Sequence, residues 1–110
     1  MSDSDSAVIT RPETDEETKT RRVPPYNVIL LNDDDHSMEF VVMVLTKVFS
    51  YQLEKCVQLM LQAHTSGRTV IWTGSKEVAE LKVEQIRTFH EMKGAKDIGA
   101  VGCEIEPAPG

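Results

Sequence analysis

Apolar positions fall into six blocks along the chain, and their spacing changes from block to block. Val28, Ile29, Leu30 and Leu31 form a short continuous run behind Pro24 and Pro25, the pattern of a buried strand. Met38, Val41, Val42, Leu45, Val48 and Phe49 then recur at intervals of three and four, which places them on one face of a helix that Ser37 can cap. Ser50-Tyr51-Gln52 breaks that rhythm, and a second helix follows with Leu53, Cys56, Val57, Met60, Leu61 and His64 on one stripe and Gly67 at its end. Thr69 to Thr73 is β-branched and aromatic enough for a second strand. Ser75 caps a third helix with Glu77 in its first turn and Val78, Leu81, Ile86, Phe89 and Met92 as its buried face. After a glycine-bearing turn from Gly94 to Gly99, a last strand surrounds Val101, Cys103 and Ile105. No two-residue hairpin is predicted. The order β-α-α-β-α-β, with helical connections, predicts a small single α+β domain: a three-stranded antiparallel sheet with three helices packed on one face.

The remainder of the chain changes this picture only at its start. Residues 1–24 are rich in Ser, Thr, Asp and Glu and poor in large apolar side chains, and such a composition cannot offset the entropy of ordering. A disordered N-terminal extension is therefore expected there, and a folded domain over residues 25–110. With 12 Lys and Arg against 18 Asp and Glu the formal charge is −6, and no basic block is present to track phosphates, so nucleic acid is not an expected partner. No apolar run long enough to span a bilayer and no secretory signal is visible, which makes a cytoplasmic location without membrane attachment the expectation. Cys56 and Cys103 lack metal or redox spacing and read as buried free thiols.

The chemistry concentrates where the first strand ends. Asn32, Asp33, Asp34 and Asp35 put one amide and three carboxylates at the exit of the sheet, a set of acceptors suited to a cation, whether a metal ion or an ammonium. A magnesium site of the receiver type needs about five strand-helix repeats, and this chain has too few. An EF-hand needs a glycine and a closing glutamate that do not follow. Asp33, Asp34 and His64 could ligate a metal, but their spacing does not define three or four ligands. Solvated turn acids and a core histidine are the plainer alternatives. There is no GxSxG, and neither cysteine sits beside an obvious base. Met38, Val41 and Met60 are either core residues or the lining of a cavity that adapts to large apolar groups.

The segments YNVILLNDDDHSMEFVVMVLTKVFSY, LEKCVQLMLQAH and SGRTVIWTGSKEVAELKVEQI together resemble the Clp protease adaptor family ClpS, over residues 26 to about 106. The resemblance implies an adaptor with no catalytic activity and no cofactor. Members bind the free N-terminal residue of N-degron peptides and proteins, Leu, Phe, Tyr or Trp, and hand the substrate to a Clp AAA+ unfoldase. By matching position, Asn32, Asp34 and His64, with Asp33 close by, contact the α-amino group. Leu31, His36, Met38, Val41, Met60, Ala63 and Val101 form the hydrophobic pocket, with Met38 as the gatekeeper that disfavours β-branched Ile and Val. Glu77, Glu80 and Lys82 match positions that dock on the N-terminal domain of the ATPase, while the N-terminal extension engages its pore and the adaptor itself is a monomer. The family pattern Tyr-Thr-Pro after the acidic pair is replaced by Asp35-His36-Ser37, so His36 stands at the pocket rim where threonine is usual. Two other readings compete: a modulator that docks on the Clp ATPase without recognising N-degrons, and a metal-dependent enzyme using Asp33, Asp34 and His64.

Overall fold

The structure is a computed structural model and describes residues 23–109. The extension expected over residues 1–24 therefore lies, save for Val23 and Pro24, outside the described residues. The elements are β1 (Tyr26–Leu31), α1 (Met38–Phe49), α2 (Leu53–Ser66), β2 (Arg68–Gly74), α3 (Lys76–Arg87), β3 (Glu91–Lys93), β4 (Lys96–Gly99) and β5 (Cys103–Pro107). β1 is the centre of an antiparallel sheet of order β2-β1-β5, and β3 pairs with β4 in a separate ribbon. The small α+β domain with three helices on a three-stranded antiparallel sheet is the observed architecture.

Each helix begins and ends for local reasons. Ser37 accepts a hydrogen bond from the Phe40 N–H at 3.1 Å and so starts α1. Ser50 ends it in the left-handed region, φ 58, where its N–H donates to the Thr46 carbonyl. Gly67, φ 90, ends α2 in the same manner, a conformation that glycine adopts without steric conflict. Ser75 caps α3 by accepting from Val78 N–H at 3.3 Å. Ser75→Ala is expected to remove about 1 kcal/mol of stability, seen as a fall in Tm of about 4–8 °C; thermal melting checks it.

The core lies between the helices and the inner face of the sheet. Val28 and Leu30 of β1 meet Leu45 and Val48 of α1, Cys56 and Ala63 of α2, and Ala79, Val83 and Ile86 of α3. Both cysteines are buried free thiols, and burial pushes the Cys103 thiol up from its usual range. Cys56 donates to the Tyr51 carbonyl at 3.7 Å and accepts from the Thr46 hydroxyl at 3.4 Å.

Three expectations need correction. Residues Lys93 and Lys96 are joined through Gly94 and Ala95, so a tight two-residue hairpin does exist where only a glycine-bearing turn was expected. Its short strands are mostly polar or exposed and carry no alternating apolar pattern, while Gly94 supplies the positive φ of 63 that the turn needs. Secondly, α3 stops at Arg87, so Phe89 and Met92 are not on it, and Val78 and Leu81 are exposed. The buried stripe is Ala79, Val83 and Ile86, because a small residue lets the helix approach the sheet that bulkier neighbours would hold away. Thirdly, Leu53 and Leu61 of α2 face outward, with Leu59 and Ala63 taking the inward positions, and His64 is exposed rather than on the apolar side.

Candidate functional site

The acidic segment is fixed at both sides of the sheet's central strand. Leu31 N–H donates to the Gly102 carbonyl at 3.0 Å, and Asn32 N–H donates to the Gly67 carbonyl at 2.9 Å. The second bond joins the end of β1 to the C-cap of α2, which is how Asn32 and His64 come to line the same cavity. Beyond Asn32 the chain turns on Asp33, whose Oδ1 accepts from the N–H groups of Asp35 at 2.7 Å and His36 at 3.0 Å. Asp33 Oδ2 pairs with His36 Nδ1 at 2.6 Å, and His36 Nε2 lies 2.9 Å from the Gly99 carbonyl oxygen. The imidazole also stacks on Phe40 of α1, ring centres 5.5 Å apart. Next to it, Ser37 N–H donates to Glu91 Oε1 at 3.0 Å.

These contacts set the charge states. Burial raises the Asp33 carboxyl, but the hydrogen bonds from His36 and Asp35 and the nearby His36 charge outweigh it, leaving Asp33 below the usual carboxylate range. Burial likewise pulls His36 down, and it is overcome by the Gly99 carbonyl, the Asp33 carboxylate and the charge of Glu91, so His36 lies above its ordinary value of 6.5. Burial also raises Glu91, yet Ser37 and His36 bring it below the ordinary 4.5. Both oxygens of Asp33 are thus engaged within the chain.

Asn32, Asp33, Asp34, His36 and His64 line one cavity of about 160 Å³ together with Leu31, Met38, Val41, Met60, Ala63 and Val101. Every residue that the sequence suggested for the amino group and the pocket borders this space. Leu30 borders it too; as an inward strand residue at 2 % exposure it is indistinguishable in sequence from plain core. The lining therefore combines an amide, carboxylates and two imidazoles with leucine, methionine, valine and alanine side chains. Met38 lines the cavity and is half exposed, 50 %. Val101 precedes β5 rather than lying on it and is buried.

The suggested docking residues do not all come together. Glu77 and Glu80 share a surface groove with Leu81, Glu84, Arg87 and Glu104 between α3 and β5. Lys82 points elsewhere, its Nζ donating to the Val48 carbonyl at 3.0 Å and lying 5.4 Å from the centre of the Phe49 ring. Among the described residues, no group of three or more His, Cys, Asp or Glu side chains is arranged to hold a metal ion, and no helix is long and apolar enough to cross a membrane.

Comparison with known proteins agrees from three directions. The family model described as ATP-dependent Clp protease adaptor protein ClpS matches residues 21–96. The ClpS adapter protein of Xanthomonas campestris pv. campestris strain 8004 is 48% identical over 79 residues, covering 70% of this chain and 74% of that protein. That of Pectobacterium carotovorum subsp. carotovorum strain PC1 is 46% identical over 78 residues, covering 69% of this chain and 74% of its own. Among solved structures, Agrobacterium tumefaciens ClpS2 bound to L-phenylalaninamide is similar with a TM-score of 0.66 and 30% identity, over 77% of this chain and 98% of that one. Every residue that lines the cavity at the end of the central strand, Val101 excepted, falls within the matched residues 21–96, and the chain belongs to the ATP-dependent Clp protease adaptor family ClpS.

Proposed function

We propose that the domain of residues 25–110 binds the free α-amino group and the large hydrophobic first side chain of N-degron substrates, Leu, Phe, Tyr or Trp, and delivers them to a Clp AAA+ unfoldase. The observation that carries this reading is the mixed lining of one cavity of about 160 Å³, in which ammonium acceptors and apolar side chains border the same space. An apolar space of about 150 Å³ takes one benzene-sized group, so the volume suits one leucine or aromatic side chain. A protonated amine presents three donors; Asn32 Oδ1, the Asp34 carboxylate and a neutral His64 nitrogen supply acceptors, while Asp33 adds negative potential and holds the turn. Burying the side chain against Met38, Val41, Met60 and Ala63 contributes about 1.5–3 kcal/mol. Met38 in the lining disfavours a β-branched first residue by conflict at its Cβ. The binding of L-phenylalaninamide by the Agrobacterium relative supports the same assignment.

In this reading the protein is a monomeric, non-catalytic adaptor of the cytoplasm without a cofactor. Glu77 and Glu80 on the exposed surface of α3 meet the N-terminal domain of the ATPase, while Lys82, its amine bonded to the Val48 carbonyl, contributes from outside that groove. Fluorescence anisotropy with peptides that differ only at the first residue tests recognition. Phe, Leu, Tyr and Trp are expected to bind, and Ile and Arg to be rejected. Failure of all of them would leave a docking modulator of the ATPase as the function. The docking surface is tested separately: Glu77→Lys combined with Glu80→Lys is expected to leave peptide affinity unchanged, because neither residue lines the recognition cavity, and to reduce unfoldase-dependent degradation of a Phe-initiated substrate.

A further inference from the structure

We propose that His36 is a proton-controlled positioning residue of the recognition site: as an imidazolium it clips the β3–β4 hairpin to the acidic turn and thereby fixes the wall of the first-side-chain cavity. This inference rests on the N-terminal recognition reading and adds to it how the site holds its shape.

The geometry demands two donors on one ring. Nδ1 lies 2.6 Å from a carboxylate oxygen of Asp33 and Nε2 lies 2.9 Å from the carbonyl oxygen of Gly99. An ionised carboxylate and a carbonyl only accept, and neutral imidazole has a single N–H, so both bonds form only when the ring carries two protons. The side chain is 4% exposed, which makes an unpaired nitrogen costly. Deprotonation would leave the remaining proton on the nitrogen facing the Asp33 carboxylate, the stronger acceptor, and turn the Nε2 lone pair toward the lone pairs of Gly99.

The groups facing the ring favour the charged form. Asp33 faces it from its own turn and Glu91 from β3, while Asp34 and His64 of α2 border the same cavity. From α1 it meets the uncharged Phe40, and from β4 the Gly99 carbonyl. What the clip holds is part of the pocket: two residues beyond Gly99 the chain places Val101 in the cavity wall, and Gly102 receives the Leu31 N–H. Ser37 and Glu91 make a second tie between the same two segments, so loss of the first loosens the hairpin without releasing it.

The sign follows from the direction of the His36 shift. Its value in the fold is raised above 6.5, so the clip is complete below that pH and is lost as pH rises through the higher folded value. The ligand amine also deprotonates at high pH, near 7.7–8.0. The informative quantity is therefore the ratio of Kd values for His36→Gln and the unaltered protein with one Phe-initiated peptide, because amine titration is common to both. The ratio is expected to be about tenfold near pH 6, equivalent to one hydrogen bond to a charged group, and to approach one near pH 9. A ratio that does not change with pH while the unaltered protein binds well overturns the role of His36 and leaves recognition standing. Failure of the unaltered protein to bind at any pH overturns recognition and this inference with it. If His36→Gln does not fold, the ring ¹⁵N shifts of His36 in the unaltered protein decide: a ring still mostly doubly protonated at pH 6.5, with the Gly99 amide moving at the same midpoint, supports the clip, and a ring already mostly neutral at pH 6.5 overturns it.

Discussion

Acetylating the amino terminus of a Phe-initiated peptide is expected to lower its affinity by at least about a hundredfold. The modification removes the positive charge and two of the three donors, so at least two charge-assisted bonds to Asn32, Asp34 or His64 disappear, each worth about 1.5–3 kcal/mol. At about 1.4 kcal/mol per decade, two such losses amount to two to four orders of magnitude. The apolar part of the lining is still covered, but now at the cost of leaving Asp34 beside an uncharged amide. Competition anisotropy with paired free and acetylated peptides measures this directly, and equal binding of the pair would remove the amine from the recognition scheme. Asp34→Ala is expected to reproduce part of the loss with the free peptide and to add little further loss with the acetylated one, since the amine bond that it deletes is already gone there.

The largest effect on stability is expected from Leu45→Ala. Leu45 is 1% exposed and packs in the core between α1 and the sheet. Truncating a leucine so enclosed costs about 2–5 kcal/mol, by lost transfer energy and by the cavity that remains. Against a total of about 5–15 kcal/mol this is a large share, and it corresponds to a fall in Tm of at least about 8 °C for a domain of this size. Leu53→Ala supplies the contrast: Leu53 is 64% exposed at the start of α2, and its replacement is expected to change stability by no more than about 0.5 kcal/mol. A melting curve in which both variants fall equally would mean that the burial pattern is wrong.

Those two leucines also show what could be read before folding. Both lie in helical stripes of apolar residues, and the stripes place the helices correctly. What spacing cannot resolve is which edge of a broad stripe turns inward when a small residue such as Ala79 or Ala63 allows close approach. Val78 and Leu81 are outside for that reason. The acidic turn was legible because Asn32 to Asp35 interrupt an apolar strand abruptly, and local chemistry of that kind does not depend on distant contacts. The hairpin was not legible: Glu91 to Gly99 has no alternating pattern, and its order comes from a left-handed glycine and from ties to residues more than fifty positions away. The same separation hid the role proposed for His36. In sequence it is a substitution at a pocket rim, and only the fold brings the Gly99 carbonyl to its second nitrogen.

The central strand has a consequence for how binding proceeds in time. β1 is hydrogen-bonded on both sides, and Leu31 and Asn32 extend that pairing to the threshold of the cavity. Amide protons there should exchange with solvent only through openings close to global unfolding, among the slowest in the domain. A receptor whose acceptors already stand in place has little configurational freedom left to surrender when a ligand arrives. Under the proposed function, capture is then expected to require no slow rearrangement, and affinity among rival amino termini to be decided chiefly by how long each remains seated.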